Sequence, residues 1–225
     1  MSNVAPESTH PASLAAAKSV AVIVAHPDDE TIWAGGTILS HPSWKWHISS
    51  LCRASDEDRA PRFFKAQQVL GTRGTMGDMD DGPEQNPLDE IEVEATILKL
   101  LPQEHFDLVI SHSPAGEYTR HRRHEETGRA AIALWQSGQL VADVLWIFAY
   151  EDAGKRYLPR PIETAPIYYP LPERIWQEKR GIITGIYGFS DESFEAQTTP
   201  RAEAFWQFLE PADAGAWLNR SGGMG

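Results

Sequence analysis

Residues 25–30 read Ala-His-Pro-Asp-Asp-Glu and directly follow the apolar run Ser19–Val24. A histidine and two carboxylates therefore stand where a buried strand would empty into a loop, the place where open α/β sheets collect their chemistry. A second group, His121-Arg122-Arg123-His124, opens a helical pattern that follows another apolar run at 106–110. Two strand ends can bring the groups together. A catalytic zinc site takes three protein ligands from His and carboxylate, keeps a fourth position open for water, and uses a separate carboxylate as proton acceptor. His26, Asp29 and His124 can supply the ligands, which leaves Asp28 as the base. Pro27 fixes φ and stiffens the turn, so the adjacent Asp28 and Asp29 can point in different directions. His121 precedes His124 by three residues, a helical spacing that puts both imidazoles on one face and lets His121 serve a developing oxyanion.

Blander readings compete with each part. Asp is favoured at N-caps and in first turns, so either aspartate alone could merely cap the following helix. Arg120, Arg122 and Arg123 read either as a solvated face paired with Glu125 and Glu126 or as a rim that recognises a carboxylate or phosphate. His10, His41, His47, His105 and His112 belong to no such pattern and are expected to be structural or solvated, although His112 ends a strand.

The elements that must position these residues follow from periodicity. Apolar runs alternate with helical patterns, which predicts βαβ units around a parallel sheet: an α/β, Rossmann-like three-layer sandwich with a mostly parallel sheet. Strands are expected at 19–25, 46–53, 106–111 and 144–150, and helices at 29–40, 59–70, 88–101 and 121–136. Gly35-Gly36 in the first helix would allow close packing on the sheet. The segment 71–87 reads as a loop around one short strand. The proline-rich stretch 153–172 is expected to be extended and irregular and to cover the site. Two late helices are expected at 173–186 and 201–209, with a frayed tail at 221–225.

The 225 residues, 41% of them hydrophobic, suit one domain over 19–220 preceded by a flexible tail over 1–18. A net charge of -12, from 32 acidic and 20 basic residues, argues against a nucleic-acid partner. The single cysteine, Cys52, cannot form an intramolecular disulfide, and neither a signal peptide nor a membrane span is expected. These features predict a cytoplasmic protein acting on a small molecule, with a homo-oligomer compatible. No Gly-x-Gly-x-x-Gly follows the first strand, which speaks against a dinucleotide site.

Residues 25–30, followed by Gly35-Gly36-Thr37, resemble the opening signature of the PIG-L/LmbE family of zinc-dependent de-N-acetylases. Arg59, Ala66 and Leu70-Gly71 match its middle pattern, and His121 and His124 its late His-x-x-His, so the resemblance spans roughly residues 19–190. The resemblance implies Zn2+, or another divalent metal, on His26, Asp29 and His124, with Asp28 as general base and His121 as acid or oxyanion partner. Arg59, Tyr118, Arg122 and Arg123 become candidate substrate contacts. Two positions depart from the family: Arg62 stands where Glu is usual, and Arg123 where Asp usually orients the first late histidine. Glu125 or Glu117 could substitute for that Asp. The implied reaction is hydrolysis of an N-acetylated amino sugar or a similar small conjugate, releasing acetate. The alternative is a zinc hydratase acting on a small unsaturated dicarboxylic acid, as the same family type includes one and the arginine cluster would suit an anion.

Overall fold

The computed structural model describes residues 18–221, so the expected tail over 1–18 lies almost wholly, and residues 222–225 entirely, outside the described part. In chain order the elements are β1 (Ser19–Val24), α1 (Asp29–Ser40), β2 (Lys45–Ser50), α2 (Arg59–Leu70), β3 (Arg73–Met76), α3 (Glu90–Leu100), β4 (Leu108–Ser111) and α4 (Arg122–Gln136). They continue with β5 (Leu145–Phe148), β6 (Tyr150–Glu151), β7 (Arg160–Pro161), β8 (Ile167–Pro170), α5 (Glu173–Gly185), α6 (Phe194–Thr198), β9 (Ala202–Phe208) and α7 (Pro211–Ser221).

Seven strands form one sheet in the order β3-β2-β1-β4-β5-β9-β8, parallel from β3 to β5 and closed by the antiparallel β9 and β8. This is the predicted α/β sandwich. The reason lies in β1, whose alternate residues enter two different cores. Val20, Val22 and Val24 pack with Ile32, Trp33 and Ile38 of α1 and Phe63 of α2, whereas Ala21 and Ile23 pack with Ile97 of α3 and Ala131 and Leu134 of α4. A strand covered on both faces reads as a continuous apolar run, and this one does. The sheet order reverses between β1 and β4, so their carboxyl ends open a crevice at the switch point.

Two expectations need correction. The segment 201–209 is not a helix but the strand β9, paired antiparallel with β5 so that Phe205 faces Phe148 and Trp206 faces Ile147. Its Ala-Glu-Ala start suits a helix, but the aromatic Phe205, Trp206 and Phe208 gain more by completing the sheet beside β5. The proline-rich stretch is extended and largely irregular as expected, but it does not cover the site. It forms the small β6–β7 pair and then β8, the edge strand of the main sheet, where Pro170 is tolerated because an edge strand has ladder positions that need no donor. Residues 71–87 do hold one short strand, β3. No described helix is long and apolar enough to cross a membrane.

Two glycines set close approaches. A Cβ on Gly36 would collide with Leu171 and Glu203, so α1 lies directly on the β8–β9 side of the sheet. A Cβ on Gly128 would stand 2.3 Å from the carbonyl oxygen of His112, so only glycine lets α4 press onto the end of β4. That contact sets the depth at which His124, one turn earlier on α4, enters the crevice.

Candidate metal centre and catalytic site

His26 and Asp28 occupy the turn leaving β1, Asp29 begins α1, and His124 lies in the first turn of α4. Three of their atoms form a nearly equilateral triangle: His26 Nδ1 to Asp29 Oδ2 is 3.2 Å, His26 Nδ1 to His124 Nε2 is 3.3 Å, and His124 Nε2 to Asp29 Oδ2 is 3.2 Å. Tetrahedral zinc with bonds of about 2.0–2.1 Å spaces its ligand atoms about 3.3 Å apart. The chemistry agrees with the spacing. Glu117 Oε2 lies 2.6 Å from His124 Nδ1, which places the proton there and turns the Nε2 lone pair toward the triangle. Trp33 Nε1 donates to Asp29 Oδ1 at 3.0 Å and holds that carboxylate in place. Two ring nitrogens and a carboxylate oxygen within 3.3 Å of one another form a donor set that suits a divalent cation.

Asp28 points elsewhere, as the stiff turn requires. Its Oδ2 accepts from Arg59 Nη1 at 2.9 Å. Its backbone sits at φ 123, a strained conformation for a residue with a Cβ, costing about 1–3 kcal/mol. The fully buried Glu30 holds it there by accepting the Asp28 N–H at 3.1 Å, and Glu30 is itself anchored by Tyr187 Oη at 2.6 Å and Thr31 Oγ1 at 2.7 Å. Burial and the neighbouring Asp29 charge push the Asp28 carboxyl well above the usual range, against the pull of Arg59. Burial would raise Asp29 too, but the flanking His124 and His112 hold it well below the usual range. The two adjacent carboxylates are thus pushed in opposite directions by their surroundings.

His121 stacks on His124 with ring centroids 4.3 Å apart and meets the His26 ring edge-on at 4.5 Å. Burial, followed by its neighbours His124 and His26, lowers its pKa to about 3, so the ring is neutral and offers an N–H rather than a positive charge. Its Nδ1 and His26 Nε2 are buried without a hydrogen-bond partner among the described residues, although Asp81 Oδ1 lies 3.2 Å from the latter, out of bonding alignment. The cleft above these groups measures about 200 Å3 and is bordered by Trp33, Arg53, Arg59, Tyr118, Phe194 and Glu195.

Several placements differ from expectation. His112 is structural, one of the two readings expected of it, but its place inside the cluster was not foreseen: fully buried, it stacks on His124 at 3.9 Å and sits 3.4 Å from Asp29 Oδ2. The Ala25 N–H points at its Nε2 at 3.0 Å and Glu117 takes its Nδ1–H at 2.9 Å, so its lone pair is already engaged. Its place at the end of β4, beside β1, was the available signal. Neither Glu125 nor Glu117 reaches His121. Glu125 pairs with Arg120 and Arg129, and Glu117 bridges His112 and His124.

The arginines divide in a way the sequence did not reveal. Arg123 is completely buried, and its guanidinium is consumed by Glu126, the Asp80 carbonyl and the Asn86 carbonyl at 2.9 Å, tying the 80–86 loop to α4. With no exposed surface it cannot meet a substrate, so it is neither a solvated face nor a rim. Arg122 is exposed and borders a separate cavity of about 880 Å3 together with Arg120 and Arg129. Arg62 pairs with Asp58 at 2.7 Å and donates to the Tyr187 carbonyl at 2.5 Å, bracing α2 against the turn after α5. Arg59 and Tyr118 do border the cleft. The proline-rich stretch contributes nothing to its lining, which on that side comes from α6.

No curated protein matches the chain. Among solved structures, an N,N'-diacetylchitobiose deacetylase from Pyrococcus horikoshii is similar, with a TM-score of 0.64 at 19% identity, over 86% of this chain and 84% of that one. A 4-carboxy-2-hydroxymuconate hydratase from Pseudomonas putida reaches 0.59 at 15% identity, over 86% and 97%. A zinc-inhibited form of a teicoplanin deacetylase reaches 0.59 at 12%, over 84% and 97%. At these identities the likeness is one of fold. Residues 21–135, half of the chain and all of the triangle, match the family described as PIG-L, GlcNAc-PI de-N-acetylase, and the chain belongs to that family.

Proposed function

We infer that the protein is a metal-dependent de-N-acetylase that hydrolyses the acetamide of an amino sugar or a similar small conjugate. The observation that carries this reading is the triangle of His26 Nδ1, Asp29 Oδ2 and His124 Nε2 beside a separate carboxylate, Asp28, of raised pKa. The three ligand atoms would hold Zn2+ or another divalent ion, which when bound lowers the pKa of a coordinated water toward ~7 and polarises the acyl oxygen. Asp28 takes the proton of the attacking water as the carbon–oxygen bond forms. Arg59 orients that carboxylate through its 2.9 Å contact. The neutral His121 donates an N–H to the oxyanion. As the carbon–nitrogen bond breaks, Asp28 returns the proton to the departing nitrogen, leaving a free amine and acetate.

The shared fold does not separate a deacetylase from a hydratase, but the cleft's charges favour the former. A dicarboxylate needs free cations, and those bordering the cleft are engaged: Arg53 with Asp81 and Arg59 with Asp28. Metal analysis of the purified protein, with an acetate-release assay on N-acetylglucosamine and N,N'-diacetylchitobiose, tests the reading. One bound equivalent of metal and metal-dependent acetate release are expected. Loss of enoate absorbance from an unsaturated dicarboxylate, with no acetate from either sugar, would replace the deacetylase with the hydratase.

A further inference from the structure

The far wall of the cleft is supplied by α6, which lies outside the stretch that matches the family. Phe194 keeps 39% of its surface exposed and borders the cleft. Its ring meets Tyr118 edge-on at 5.0 Å, and Tyr118 in turn lies 6.2 Å from Trp33, so an aromatic wall climbs from beside Asp29 to the mouth. The turn is rigid. Ser193 Oγ accepts from Ala196 N at 3.1 Å, Ala196 is buried in the core, Thr199 Oγ1 donates to the Glu195 carbonyl at 2.8 Å, and Trp176 Nε1 donates to the Thr199 carbonyl at 3.2 Å.

Beside Phe194, Glu195 also borders the cleft, and its carboxylate has no hydrogen-bond or ion-pair partner among the described residues. The other charges of the mouth cancel in pairs, Arg53 with Asp81 and Arg59 with Asp28, so Glu195 leaves the rim with an unmatched negative charge. An exposed aromatic face next to a free carboxylate recognises a ring whose flat face is apolar and whose edge carries hydroxyl or ammonium donors. It repels a carboxylate.

We propose that Phe194 and Glu195 form a subsite for a second saccharide ring, on the amine side of the scissile amide, which selects neutral or ammonium-bearing sugars against anionic ones. The proposal rests on the de-N-acetylase reading for the position of the first ring, but its test does not depend on turnover. Titration calorimetry compares glucosamine with its β-1,4-linked dimer on the wild-type protein, Phe194→Ala, Phe194→Trp and Glu195→Gln. The dimer is expected to bind wild type about tenfold more tightly than the monomer, the increment of one aromatic contact. Phe194→Ala removes that advantage without changing monomer affinity, Phe194→Trp restores it, and Glu195→Gln weakens the ammonium form more than the N-acetylated dimer. In acetate release the Phe194→Ala loss falls on KM rather than on kcat.

No measurable preference of wild type for the dimer, equal dimer binding by wild type and Phe194→Ala, or tighter binding of muconate than of the dimer would each overturn the subsite. If the binding differences appear but neither sugar releases acetate, the subsite stands and the reaction assignment falls. If acetate is released and the variants match wild type, the reverse holds.

Discussion

Two polar clusters lie along α1, one wholly buried and the other opening on the cleft. Midway along the helix, Glu203 accepts the Gly36 and Thr37 N–H groups at 2.7 Å each and Thr37 Oγ1 at 2.6 Å, and pairs with Lys179 Nζ at 2.7 Å, both side chains fully buried. Every strong group there is satisfied. At the helix start, His26, Asp29 and His124 bring three ligand atoms within 3.3 Å of one another, while His26 Nε2 and His121 Nδ1 find no hydrogen-bond partner among the described residues. A closed network braces α1 against α5 and β9, whereas the open one could hold a metal ion. Satisfaction, and not charge, separates the brace from the site.

The sharpest way to break this contrast is to remove one group from each cluster. His124→Ala leaves two protein ligands and is expected to lose bound metal and all measurable activity while the fold survives, as read by metal content and circular dichroism. Metal retained at one equivalent would take His124 out of the ligand set. Asp28→Asn keeps size and shape but not basicity, so kcat is expected to fall by roughly 10²–10⁴ at full metal content. Metal loss in this variant would exchange the roles assigned to Asp28 and Asp29.

Lys179→Met attacks the brace. It strands the buried Glu203 carboxylate and is expected to cost about 3–5 kcal/mol in denaturant unfolding, with metal content unchanged, and adding Glu203→Gln recovers part of the loss. A variant that sheds metal would show that the clusters are not independent.

A smaller effect is expected from Glu117, whose carboxyl the adjacent His112 and His124 draw down to about 2 despite burial. A folded value below the ordinary one contributes stability that is complete above about pH 4.5 and disappears as pH falls through about 2. In metal-free protein, Glu117→Gln is therefore expected to flatten the decline in thermal midpoint across that interval. An unchanged slope would mean that Glu117 bears no charge-dependent part of the site's cohesion. The smallest effect belongs to Arg122→Ala, since the side chain borders a different cavity. Its kcat/KM is expected to stay within about twofold of wild type, and a raised KM confined to carboxylated substrates would restore an anion-recognising role.

Much of this was legible along the chain because it is written in local spacing. The apolar runs at β1 and β4 located both strand ends, Pro27 announced a stiff turn, and the three-residue step from His121 to His124 placed both rings on one helical face. What was not legible depends on partners distant in sequence. The segment 201–209 carries residues fit for either helix or strand, and the exposed side of β5 decided between them. Arg123 looks like any charged helix-surface residue until the loop over 80–86 folds against it and takes its donors.

The sequence by itself determined the α/β class, the family, and that His26, Asp28, Asp29, His121 and His124 meet at the crevice, since these follow from strand periodicity and from two short motifs. Only the tertiary structure decided that His112 stacks beneath His124, that Glu117 serves two imidazoles, and that Phe194 and Glu195 border the mouth. Those contacts join residues 5 to about 170 positions apart, and their energies depend on burial and on the exact exhaustion of donors, quantities that exist only after the chain has folded.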